Sequence, residues 1–223
     1  MWTPRRTLLG IWVVALLVRV VYLSEISGAP FADLRVGDAE AYHEWALRIA
    51  GGEWLGRDVF YQAPLYPYFL AFIYRIADDS TIVVRMIQAI VGASSCALLA
   101  SAGISLFGLS GAVAGLLLAV YPTAIYFDGL LEKTSLVVFF TCALLAVLAV
   151  PPERFSARHG LTAGAILGLL ILTRENAILL VPVVLICIWF RSSPKTPNRR
   201  SCCAPSAPSG STYCSDLRRS APW

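Results

Sequence analysis

The sequence predicts an all-α fold: a polytopic transmembrane helical bundle of about six spans, with interfacial amphipathic helices in its first outer loop. Three observations carry this. Hydrophobic residues make up 57% of the 223 positions and charged residues only 14%, where a soluble domain carries about 25% charged residues. The apolar residues gather into long runs instead of alternating with a helical or strand period, which points to burial in lipid. The basic residues sit at the ends of those runs. The net charge of +4 therefore forms no basic stripe, and nucleic acid is excluded as a partner.

The first predicted span is 7–26, with Arg5 and Arg6 before it. The apolar run from Leu8 to Val18 and the small residues Ser27-Gly28-Ala29 also have the outline of a cleavable signal. The run continues through Val20-Val21-Tyr22-Leu23, long for a signal core, which favours a retained anchor. Spans follow at 82–107, 111–127 and 130–150. Cys96, Cys142 and Cys187 fall inside apolar runs, where cysteine acts as a small hydrophobe. The stretch 161–190 is apolar throughout except for Arg174-Glu175-Asn176. As one helix it would hold an Arg and a Glu at mid-membrane, at about 2.5–3.5 kcal/mol each. As two short helices, 161–173 and 177–190, it puts the charged trio in a surface turn.

Loop charge decides between them. With Arg5 and Arg6 in the cytoplasm, Arg154, Arg158 and His159 also fall inside. Two helices after them bring Arg191, Lys195, Arg199 and Arg200 inside as well. One helix would put that basic tail outside, against the positive-inside rule. The expectation is six spans with cytoplasmic N- and C-termini. The long loop 27–81 and the turns near Tyr126–Lys133 and Arg174–Asn176 then share the outer face.

The outer loop carries two helical stretches. In 38–50, Tyr42, Trp45, Ala46 and Ile49 share one face, and Glu40, His43, Glu44 and Arg48 lie elsewhere. A short helix of this kind suits the membrane interface, with His43 on a solvated face. The second stretch, 61–74, starts at Pro64 and Pro67, tolerated where a first turn needs no internal N–H bonds. Its aromatic residues, Tyr61, Tyr66 and Tyr68 among them, fit an interfacial aromatic belt. Asp38, directly after Gly37, reads either as a helix N-cap or as a general base. Capping would lower its pKa and weaken it as a base.

Several phrases occur in a telling order: Arg19-Val-Val-Tyr22, then Asp38 with Tyr42 four residues on, then Ala63-Pro-Leu-Tyr-Pro-Tyr-Phe-Leu70. Arg85 follows at the head of a span, then Tyr121-Pro122, Glu132, and Gly168-Leu-Leu-Ile-Leu-Thr-Arg174. Over about 7–190 the chain resembles the GT-C superfamily of membrane glycosyltransferases, especially bacterial protein O-mannosyltransferases and the lipid A aminoarabinose transferase. It departs at one point: many relatives have Glu directly after the Asp, whereas here Ala39 intervenes and Glu40 comes next, which leaves open whether Glu40 substitutes.

The resemblance implies a bacterial plasma-membrane enzyme that uses a sugar on a polyprenyl phosphate, with a protein, lipid or glycan hydroxyl as acceptor. It implies that Asp38 deprotonates that hydroxyl, which attacks the anomeric carbon with inversion. Phosphate is a good leaving group, so cations near it matter more than a general acid. Arg85, Lys133 and Arg174 lie at outer ends of spans and are the candidates, with Glu132 and Glu40 beside them. Each has a plainer alternative. Arg85 and Lys133 can snorkel to lipid head groups, Arg174 can mark a turn beside Glu175, and Glu132 can pair with Lys133 or Arg174. No His/Cys/Asp cluster has metal-ligand spacing, so the expectation is no intrinsic metal and no cofactor.

Residues 191–223 are rich in Ser, Pro, Arg and Cys without periodicity, a composition expected to be disordered. The resemblance implies further spans in relatives. One expectation is therefore a truncated chain with an out-of-frame tail and no activity; the other is a short protein with a cytoplasmic tail. A transporter is disfavoured, since no internal repeat is evident and the polar residues gather at one surface.

Overall fold

The computed structural model describes residues 4–29, 37–54 and 62–192, and these residues are helical with no strand among them. Tyr61 and the tail 193–223 lie outside the described residues. The long helices are α1 (Pro4–Ile26) and α4 (Thr81–Phe107). At 1.5 Å per residue they measure about 34 and 40 Å, enough for a hydrocarbon core of about 30 Å. Two stretches, Pro4–Ile26 and Thr81–Ala119, are long and apolar enough to cross a membrane. Their outward faces carry Leu9, Leu17, Val21, Ile82, Leu106 and Phe107, all exposed. Apolar side chains displayed this densely fit lipid as the surrounding solvent, and the chain is a helical membrane bundle.

The chain turns back after α4 at Gly108, whose φ of 69° suits a residue without a Cβ. A short 3-10 segment leads into α5 (Val113–Ala119). The return path packs tightly on α4. A methyl group at Gly103 would overlap the Gly111 carbonyl, and one at Gly115 would overlap Cys96 and Ala100. Gly111, Gly115 and Ala119 recur every fourth residue, a small-residue face of the kind that lets membrane helices approach closely.

The expected third span, 111–127, is interrupted. After α5 the chain is extended at Tyr121, with ψ of 112°, before α6 (Pro122–Asp128). Proline disfavours the α conformation in the residue before it and lacks an N–H, so the helix stops and restarts. The expected fourth span also starts late. Residues 129–133 form a turn, and α7 runs Thr134–Leu148.

Next come α8 (Ala157–Thr173), a 3-10 segment Glu175–Leu180, and α9 (Val181–Ser192). Arg174 is extended at the break, so 161–190 is two helices and not one. They form a hairpin: Arg191 donates to the Val150 carbonyl, and a Cβ on Gly160 would touch Ile188. Leu144, Ala163, Leu167 and Val184 pack together where α7, α8 and α9 meet.

In the outer loop, α2 (Asp38–Ala50) and α3 (Leu65–Ala77) pack against each other. The apolar face of α2 was expected in the membrane interface. Tyr42, Ala46 and Ile49 instead join a core with Tyr66, Leu70, Tyr74, Val84 and Leu136. A protein face offers closer packing than the interface does, and α3 is placed to supply it. The helix α3 keeps an outward apolar side, with Phe72 68% and Ile76 72% exposed.

Candidate functional site

One end of the bundle gathers the outer-loop helices, the start of α4 and the turn 129–133. Asp38 stands there at the first helical position of α2. The N-cap is Gly37, at φ 66° and ψ −123°, so the capping position belongs to a residue with no side chain. The capping alternative for Asp38 is thereby corrected. Its carboxylate is exposed and accepts a hydrogen bond from the Gln62 side chain, Nε2 to Oδ1 at 3.3 Å.

Tyr42 follows one helical turn later, on the same face as Asp38. Its ring is buried edge-on against Tyr66, with centroids 5.1 Å apart. The Lys133 ammonium lies 5.9 Å from the centroid of the Tyr42 ring, within cation–π range. Burial pushes the Tyr42 phenol pKa up; the charges of Asp38 and Glu132 add to the rise and Lys133 opposes it. The phenol therefore stays protonated and remains a donor. Its buried hydroxyl is within reach of the Lys133 ammonium, which can only donate, and no acceptor for the phenol's own proton stands among the described residues. Such a group carries a desolvation cost until something accepts its proton.

Glu132 is half-buried beside this group, in the turn outside the spanning helices. Burial raises its carboxyl pKa first, the charge of Asp38 adds to the rise, and Lys133 opposes it. Asp38 thus meets Glu132 and Lys133, which lie 94 and 95 residues further along the sequence, around one tyrosine. Glu40 is two residues on from Asp38, half-buried in the first turn of α2. Residues at that spacing do not share a helix face, so it is not Asp38's neighbour in the cluster. Arg85 is buried in the second turn of α4, where its charge acts on Tyr22 of α1. Arg174 is exposed at the end of α8, and no contact among the described residues joins it to the Tyr42 group.

The elements beneath this cluster are held by polar groups to which the sequence reading gave no role. Arg19 of α1 and Asp128 of α6 form an ion pair, Nε to Oδ2 at 2.7 Å, with only 1% and 5% of their surfaces exposed. A Cβ on Gly92 would collide with both side chains, so α4 needs glycine there. Four residues before it, Gln88 is fully buried. It donates to the carbonyls of Asp128 (3.0 Å) and Leu130 (2.6 Å) and accepts from the Tyr66 hydroxyl (2.7 Å). A readable signal existed: a charge or an amide inside an apolar run demands an internal partner. Sequence alone does not say which partner.

His43, expected on a solvated face, is buried. Its Nδ1 lies 2.8 Å from the Tyr74 hydroxyl and its Nε2 lies 3.7 Å from Asp79. It joins α2 to α3 and to the turn before α4. Tyr66 does not join a belt, being buried on Gln88; Tyr68 is half-buried, and its hydroxyl donates to the Trp54 carbonyl. Among the described residues no group of three His, Cys, Asp or Glu side chains is arranged to hold a metal ion.

Comparison with curated proteins and with solved structures returned no match. The profile of the family described as dolichyl-phosphate-mannose-protein mannosyltransferase matches residues 61–201. The matched stretch contains Arg85, Gln88, Asp128, Glu132, Lys133 and Arg174, and it starts after Arg19, Asp38 and Glu40. It covers well over half of the chain and falls on a bundle of apolar helices with a charged cluster at one end, so the chain belongs to the dolichyl-phosphate-mannose-protein mannosyltransferase family.

Proposed function

We propose that this membrane mannosyltransferase-like glycosyltransferase works at the cluster around Tyr42, moving a sugar from a polyprenyl-phosphate donor to a hydroxyl acceptor. The carrying observation is the meeting of a carboxylate (Asp38), a cation (Lys133) and a buried phenol whose proton has no acceptor among the described residues (Tyr42) at one end of the bundle. The three chemistries match the three demands of the reaction.

Asp38 accepts the proton of the acceptor hydroxyl. The freed oxygen attacks the anomeric carbon, and the bond to the donor phosphate breaks with its electron pair on the phosphate oxygen. Negative charge grows on that phosphate as the bond opens. Lys133 offsets it, and the Tyr42 hydroxyl donates to it. Glu132 stands beside Lys133 and can hydrogen-bond a sugar hydroxyl. Arg85 and Arg174 are further cations for the phosphate or for neighbouring lipid head groups. The loop-charge argument puts this end of the bundle outside the cytoplasm, where the lipid tail stays in the bilayer and the sugar reaches the acceptor.

The test is transfer from a polyprenyl-phosphate mannose to a hydroxyl-bearing peptide by the full chain in lipid vesicles. Asp38→Asn is expected to insert normally and to lose about 10²–10⁴-fold in turnover, the range of general-base removal. Transfer at the wild-type rate by that variant would remove Asp38 from the mechanism.

A further inference from the structure

We infer that Gln88 is a positioning residue: it sets the turn that carries Glu132 and Lys133, and through Lys133 it tunes affinity for the donor phosphate. The inference rests on the site reading above. Its ground is the use that one fully buried amide makes of all its bonds. Both Nε2 hydrogens go to main-chain carbonyls, of Asp128 at 3.0 Å and Leu130 at 2.6 Å, while Oε1 accepts from Tyr66 at 2.7 Å. Carbonyls only accept, so the amide has one orientation that satisfies every partner.

The two carbonyls stand at the C-terminal end of α6, which closes at Asp128 with Gly129 as its C-cap. The last carbonyls of a helix have no partner within it. A side chain from α4 supplies the donors and thereby decides where the turn leaves α6. Lys133 follows Leu130 by three residues, so an error at Leu130 is carried to its ammonium. The same amide also reaches the other half of the site. Tyr66 holds Gln88 with its hydroxyl and packs edge-on against the Tyr42 ring, above which Lys133 sits. Gln88 thus ties the Lys133 turn and the Tyr42 helix pair to one point on α4. A side chain that only filled space would leave both carbonyls without donors.

The test is a double-mutant cycle on donor affinity, with the full chain in nanodiscs and a polyprenyl-phosphate mannose as the probe. Lys133→Ala is expected to weaken binding. Gln88→Met keeps the length of the side chain and removes both donors. It is expected to weaken binding about tenfold, the scale of one lost hydrogen bond. The double variant is expected to bind no worse than Lys133→Ala alone, because both changes act through one ammonium. Additive losses would mean a general structural defect and would overturn the inference. Lys133→Ala weakening while Gln88→Met binds as wild type would also overturn it and leave the site reading standing. Unchanged binding by Lys133→Ala would instead sink the site reading, and the inference with it. Should Gln88→Met fail to accumulate, Tyr66→Phe keeps the ring in the core and removes only the hydroxyl that holds the amide oxygen. A weakened Kd that vanishes in the Lys133→Ala background supports the inference, and an unchanged Kd overturns it.

Discussion

Glu132 is the residue whose titration the structure makes testable. Burial and the Asp38 charge raise its carboxyl pKa in the folded chain, while the unfolded chain returns it to its ordinary 4.5. Between those two values the folded state binds more protons than the unfolded state, so stability falls as pH rises. Above both values the penalty is fully present; below both it is absent. Glu132→Gln removes the titration. Its Tm in detergent is therefore expected to exceed that of the wild type at pH 7, and the gain is expected to fade as pH drops through the ordinary carboxylate range. A gain that grows toward low pH would contradict the raised pKa. The Arg19–Asp128 pair is the opposite kind of residue-scale feature. Two buried charges at 2.7 Å lock α1 to α6, and the value of such a pair lies in register more than in net stability.

At the scale of elements, α4 and its return path approach closely enough to exclude side chains. Gly103 and Gly111 meet backbone to backbone, and no Cβ fits at either. By contrast, a Cβ on Gly164 of α8 would touch nothing within 4 Å. Gly111→Ala is expected to lower stability by about 1–3 kcal/mol, as overpacking does. Gly164→Ala is expected to be neutral or to stabilise by up to about 1 kcal/mol, as a helix gains from losing glycine. Denaturant unfolding of the two variants side by side checks this, and equal effects would mean that the hairpin is not the constraint. The elements also divide in how readable they were. The ends of α1 and α4 follow from hydropathy and Gly108. The break at Tyr121–Pro122 follows from proline chemistry, and it was overridden in the reading of 111–127 by the apolar run around it. The destination of the α2 face was not readable, because an amphipathic stripe does not say whether lipid or protein will cover it.

At the scale of the whole molecule, the basic residues at the ends of the apolar runs are expected to keep one end of the bundle in the cytoplasm. The hairpin that brings Arg191 back to Val150 agrees with the two-helix reading of 161–190. The sidedness has its own test, in a background with Cys202, Cys203 and Cys214 replaced by serine. An impermeant maleimide is expected to label Glu175→Cys on intact cells and Arg154→Cys only after permeabilisation; the reverse pattern would invert the orientation. By itself the sequence determined the fold class, the number of apolar runs and the break at Arg174. Those depend on length, hydropathy and the cost of charge in lipid, which each segment carries alone. It also singled out Asp38, Glu132 and Lys133 as residues for the outer end. Only the tertiary structure decided that these three meet around Tyr42, that Arg19 answers Asp128, that His43 is buried and that Gln88 holds the turn. Those facts depend on which helices become neighbours, and a side chain's partner is set by packing between segments far apart in the chain.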